Sequence, residues 1–159
     1  GHQERGRRGG TENVLGIVGI GKACELTQEQ MSEDIKRISL LRDKLEQGIL
    51  CSCVGAVLNG DKANRLPNTT NISFEHLDGE AILFMLDDFD ICVSTGSACE
   101  SGSLEASHVL KSMEISRNMI NGAIRFSLGR YSTDQDVEKV LEELPKIVNK
   151  CRNLIPYLK

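Results

Sequence analysis

No apolar run in this chain approaches the ~20 residues needed to cross a bilayer, and nothing near its start has the basic, apolar and small-residue layout of a signal peptide. The expected compartment is therefore the cytosol. Positive charge is not in surplus: 19 Lys and Arg against 23 Asp and Glu leave a net charge of −4. That balance gives no general attraction for nucleic acid or an anionic membrane, so any anion site must be local. A Cys-x-x-Cys pair is also missing. Cys51-Ser52-Cys53 has the wrong spacing, no nearby histidine completes a four-ligand set, and no metal is expected. No repeat or low-complexity tract interrupts the chain.

What is present suits one folded domain with a real core. The 159 residues are 40% hydrophobic and 26% charged, values ordinary for soluble globular domains. Six cysteines could form three disulfides, but a chain of this size needs no such staples, and reduced thiols are the expectation. The stretch Gly1 to Gly10 holds four glycines and three arginines and starts without methionine, which reads as a piece of something longer. Arg5, Arg7 and Arg8 fit either a solvated tail or a phosphate-binding loop.

Periodicity places the elements. Thr11 is an expected cap for a helix reaching Cys24, weakened by Gly16, Gly19 and Gly21. Thr27 and Gln30 form an expected capping box for a second helix over about residues 28–48, whose stripe of Met31, Ile35, Ile38, Leu41, Leu45 and Ile49 is core. Short β-prone runs follow at Val54 to Leu58, Ile72 to Phe74, Ile91 to Ser94 and Ala123 to Leu128. Asp78 caps a helix through Leu86, and Thr133 with Asp134 opens a terminal helix that Pro145 should kink or break. The predicted class is α/β or α+β, a short sheet with helices on one face.

Three segments carry chemistry. In Ser94-Thr95-Gly96-Ser97-Ala98-Cys99-Glu100-Ser101-Gly102-Ser103, a cysteine lies among glycines and hydroxyl residues that favour turns, so Cys99 is predicted on an accessible, mobile loop, either as a reactive thiol or as an incidental one. The other five cysteines are predicted to be small buried hydrophobes. Arg125, alternating with apolar residues in Ile124-Arg125-Phe126-Ser127-Leu128-Gly129-Arg130, is costly to bury unpaired; its planar fork suits a carboxylate, whether of substrate or of a structural ion pair. Gly10-Thr11-Glu12 at a helix start can bind phosphate or simply cap. His108 is expected in a helix behind the cysteine loop, in a capping or packing role.

Together, His2 to Asn13, Ser94 to Ser107 and Ile124 to Arg130 resemble the NifS-like cysteine desulfurases of the class V aminotransferase fold, and the resemblance runs through essentially the whole chain in family order. It implies that residues 1–15 are the tail of a large cofactor domain and 16–159 the small C-terminal domain of a pyridoxal-5′-phosphate-dependent transferase. It further implies that Thr11 contacts the cofactor phosphate across a homodimer, that Arg125 binds the carboxylate of L-cysteine, and that Cys99 takes the sulfur as a persulfide for an iron–sulfur scaffold protein, leaving alanine. The Schiff-base lysine and ring contacts of the family lie upstream, so the chain by itself is expected to be inactive without that N-terminal half. Two other readings stay open: a non-catalytic scaffold-binding module, and a persulfide carrier using Cys99 without cofactor. A severed domain edge should expose apolar surface between Val14 and Cys24.

Overall fold

The computed structural model describes residues 1–95 and 107–154. The chain divides into two compact units, Gly1–Asp34 and Ile35–Lys159. In the first, a single 3₁₀ turn at Glu4–Gly6 precedes an Arg8–Glu12 ion pair of 2.8 Å. Helix α1 (Val14–Ser52) begins in this unit and ends in the second.

The helix start is not where Thr11 would put it. Asn13 is the cap, its Oδ1 accepting the Gly16 N–H at 3.1 Å, which satisfies one orphan amide of the first turn. The expected second cap also fails. Thr27 lies inside continuous helix and its hydroxyl donates back to the Ala23 carbonyl at 2.8 Å, the alternative that mid-helix threonines adopt. Neither glycines nor Thr27 break α1, because helix propensity costs of about 1 kcal/mol per glycine are small beside propagation over many turns. Val14, Leu15, Ile17, Val18 and Ile20 are all exposed, as expected of this stretch.

In the second unit, Ile38, Leu41, Leu45 and Ile49 of α1 are buried, whereas Met31 and Ile35 at the head of the predicted stripe are exposed. Among the described residues, strands β1 (Ala56–Asn59), β2 (Thr69–Phe74), β3 (Ser94–Thr95) and β4 (Ala123–Ser127) form one antiparallel sheet in the order β1-β2-β4-β3. Helix α2 (Gly79–Asp87) starts at Asp78, which accepts the Glu80 N–H at 2.9 Å. Helix α5 (Asp134–Asn153) starts at a capping box in which the Thr133 N–H donates to Asp136 at 2.8 Å and the Asp136 N–H to Thr133 at 3.3 Å. Pro145 lies inside one continuous α5, so of the expected kink or break the break does not occur.

Strand alternation separates two environments. Ile72, Phe74, Ile124 and Phe126 join α1, α2 and α5 in the main core. The opposite face presents Asn71, Ser73, Ala123 and Arg125. There Ala123 packs with Leu110 and Ile120 of the short helices α3 (His108–Ser112) and α4 (Arg117–Ile120). The sheet thus has helices on both faces rather than one.

Two close approaches hold this arrangement. A Cβ on Gly48 would lie 2.5 Å from Leu141 Cδ2, so a glycine within α1 lets α5 pack closely. A Cβ on Gly122 would overlap the Phe74 carbonyl oxygen and meet the Leu77 carbonyl oxygen at 3.0 Å, both of them backbone atoms that cannot swing away. The Phe74 N–H also donates to the Gly122 carbonyl at 3.0 Å, fixing β2 against the entry to β4. A buried polar cluster ties α1 to β2 and its preceding loop. Glu46 accepts from Arg65 at 2.5 and 2.9 Å and from Thr70 at 2.6 Å, while Arg42 donates to the Leu66 carbonyl at 3.0 Å. Burial alone would push the Glu46 carboxyl up, but hydrogen bonds from Arg65 and Thr70, with the charges of Arg65 and Arg42, hold it below the usual carboxylate range.

Gly122→Ala is expected to destabilise the chain by about 2 kcal/mol or more, since overpacking against backbone has no cheap relaxation; thermal unfolding followed by circular dichroism measures this, and an unchanged midpoint would contradict the packing described. Because the folded Glu46 pKa is depressed, its contribution is complete above the ordinary value of 4.5 and is lost as pH falls through the lower folded value. Glu46→Gln should therefore cost ~3 kcal/mol near neutral pH by leaving Arg65 unpaired, and the deficit should shrink in acid. Urea unfolding of both proteins across that pH window checks the sign.

Candidate active site

Arg125 is the predicted site residue that the fold sets in a defined environment. It occupies the centre of β4, directly opposite Asn71 on β2 and Ser94 on β3. Alternation keeps it off the main core, so the residue is half-buried on the polar face, and its Nε is buried without a hydrogen-bond partner. Among the described residues no carboxylate pairs with it, which removes the structural ion pair as its explanation there. An arginine so placed costs desolvation free energy that an added anion would offset.

Sequence reasoning missed the neighbours that shape this face. Asn59, almost fully buried at the end of β1, donates from Nδ2 to Asn71 Oδ1 and to Ser73 Oγ, both at 2.7 Å. Starting the strand at Ile72 left Asn71 out. The signal was nevertheless present, because Thr70, Ile72 and Phe74 alternate with Asn71 and Ser73, and that period of two sends the polar pair to the other face.

Cys99 lies outside the described residues, within 96–106. The described chain reaches Thr95, paired with Ile124 beside Arg125, and resumes at Ser107 before α3. His108 opens α3 with its side chain exposed, and Ser107, not His108, holds the cap position. Among the other cysteines the expectation of burial holds for two and fails for three. Cys53 and Cys151 are buried, and burial pushes both thiols up, which makes them poor nucleophiles. Cys24 and Cys51 on α1 and Cys92, which precedes β3, are exposed. The described residues contain no cluster of metal-ligating side chains.

Thr11 lies in the other unit, exposed, one residue after Gly10 at φ +96°. Because Asn13 takes the capping role, the Thr11 hydroxyl is not committed to the helix. Arg8 is occupied by Glu12.

A small antiparallel sheet whose polar face carries an arginine without a carboxylate partner among the described residues is the setting in which the comparisons with known proteins fall. The sequence profile described as Aminotransferase class-V matches residues 2–140, and the chain belongs to that family. Within it the chain is similar to cysteine desulfurases of the NifS type. It is 52% identical over 99% of its length to cysteine desulfurase 2 of Trichormus variabilis and 50% identical over the same share to cysteine desulfurase NifS of Azotobacter vinelandii. In each case the chain spans 39% of the relative's length. Among solved structures, a NifS-like protein superposes with a TM-score of 0.82 at 37% identity, covering 94% of this chain and 38% of the other.

Proposed function

We propose that the chain is the C-terminal portion of a pyridoxal-phosphate-dependent cysteine desulfurase, residues 1–15 ending a large cofactor domain and 16–159 forming the small domain. The observation that carries this reading is the similarity to cysteine desulfurases over 99% of the chain, and an Arg125 whose buried Nε has no partner among the described residues agrees with it.

Each residue then has a task. Thr11 holds a phosphate oxygen of the cofactor, reaching a second copy of the protein. Arg125 takes the carboxylate of L-cysteine in its guanidinium fork, orienting the Cβ–Sγ bond. The Cys99 thiolate attacks the substrate sulfur; a sulfur–sulfur bond forms as the carbon–sulfur bond breaks, and protonation of the carbon gives alanine. Pyridoxal phosphate, when bound, supplies the electron sink for the pair left on carbon. The described residues fit only the edge of that cofactor, through Thr11, so the ring must be anchored by residues that this chain does not provide. The Cys99 persulfide then passes to an iron–sulfur scaffold protein. In sequence, only Gly96, Ser97 and Ala98 lie between Cys99 and Thr95, the residue paired with Ile124 beside Arg125.

A second reading is a scaffold-binding or persulfide-carrier module without catalysis of its own. No helix among the described residues is long and apolar enough to cross a membrane.

Intact mass measured with and without reductant, after incubation with L-cysteine, pyridoxal phosphate and the remaining length of the enzyme, separates the two. A reductant-sensitive gain of one sulfur atom that disappears in Cys99→Ala is the expected result. A folded complex that gains no sulfur would favour the module.

A further inference from the structure

Resting on the proposed role of Arg125, we infer that Asn71 is a second substrate-binding residue, donating from its side-chain amide to the same carboxylate. Asn71 is the direct cross-strand partner of Arg125 in the β2–β4 register, and side chains so paired have Cβ atoms only about 5 Å apart. Its Oδ1 is already committed, accepting from Asn59 Nδ2 at 2.7 Å. Asn59 is in turn fixed by its burial and by a second bond from the same nitrogen to Ser73 Oγ at 2.7 Å, where Ser73 is fully buried. This chain of hydrogen bonds decides which way the Asn71 amide faces. With the oxygen consumed on the β1 side, the Nδ2 group is left with two N–H donors and no acceptor among the described residues.

Beside it the guanidinium of Arg125 is likewise without an acceptor there. Two adjacent groups that can only donate call for a ligand that can only accept. A carboxylate meets that requirement, because two of its lone-pair sites fill the arginine fork and a third remains for the amide. The pair also carries a single positive charge, which suits a planar monoanion better than a phosphate dianion. Asn71 therefore serves specificity as well as affinity, recognising the α-carboxylate of a small amino acid without a second cation, whose own burial would be costly. Placing the residue on a strand, with its amide oxygen held by buried Asn59 and Asn59 held in turn by buried Ser73, gives the preorganisation that a loop residue would lack.

The test uses this chain assembled with the remaining length of a cysteine desulfurase relative and pyridoxal phosphate, and follows ligand affinity through the absorbance of the bound cofactor. Two ligands are compared: L-cysteine, and 2-aminoethanethiol, which lacks the carboxylate. Asn71→Ala should weaken L-cysteine about tenfold and leave 2-aminoethanethiol unchanged. Asn71→Asp keeps an acceptor for Asn59 and so preserves the fold, but places a carboxylate against Arg125; it should weaken L-cysteine by about a hundredfold. Equal losses for both ligands in these variants, or no loss for either, would overturn the inference. Arg125→Ala separates it from the reading beneath it. Weakened L-cysteine binding in Arg125→Ala with none in the Asn71 variants removes only Asn71 from the site, whereas unchanged binding in Arg125→Ala removes the carboxylate site altogether.

Discussion

The antiparallel register of β2 against β4 is the constraint on which the second unit depends. With Asn71 opposite Arg125 and Ile72 opposite Ile124, one face of the sheet belongs to the core and the other to the candidate site. A slip of one residue would send Ile124 and Phe126 to the polar side and bury Arg125 among α1, α2 and α5. The cost of an unpaired cation in that core is large enough to make the register nearly unambiguous. Gly122 enforces it sterically, since only a residue without Cβ can pass the Phe74 carbonyl at that point. The Glu46 cluster enforces it from the helix side by gripping Thr70. Scaffold and candidate site are thus aspects of one pairing, the same strand supplying Ile124 to the core and Arg125 to the polar face.

Much of this was legible in the chain. Asp78 and Thr133 cap as their residue types suggest, because a side-chain oxygen next to a free helix N–H is a local matter that distant residues seldom override. Arg125 stood out for a similar reason, as a lone cation in an apolar strand. The misreadings share a cause in tertiary context. Thr11 and Thr27 are capping residues by type, yet Asn13 was better placed for the first turn, and α1 ran through Thr27 without need of a cap. Met31 and Ile35 continue the apolar period of α1 but are exposed, for periodicity describes a face and not what covers it. Asn71 and Asn59 escaped notice because an asparagine in a strand reads as a weak strand former; its value lies in which partner occupies each end of its amide, and that is settled by pairing across three strands.

The two units differ in how far their composition explains them. Ile35–Lys159 contains a core fed by every major element. Gly1–Asp34 exposes a run of aliphatic side chains between Val14 and Ile20, more contiguous apolar surface than a self-sufficient element usually carries.

Asn59 is followed by Gly60, whose φ of +100° marks the turn out of β1. An asparagine before glycine is the pair most prone to losing its amide with time, because the unshielded glycine nitrogen can reach the side-chain carbonyl. Here both hydrogens of Nδ2 are engaged, and that engagement holds the group away from such an attack while the sheet is intact. Were the amide lost, a carboxylate would face Asn71 Oδ1 and Ser73 Oγ, and Asn71 would turn over to offer its nitrogen there instead. Arg125 would then find an oxygen beside it where a donor had been. Chemical ageing at an edge strand of the sheet would thereby reverse the polarity of an amide one strand away.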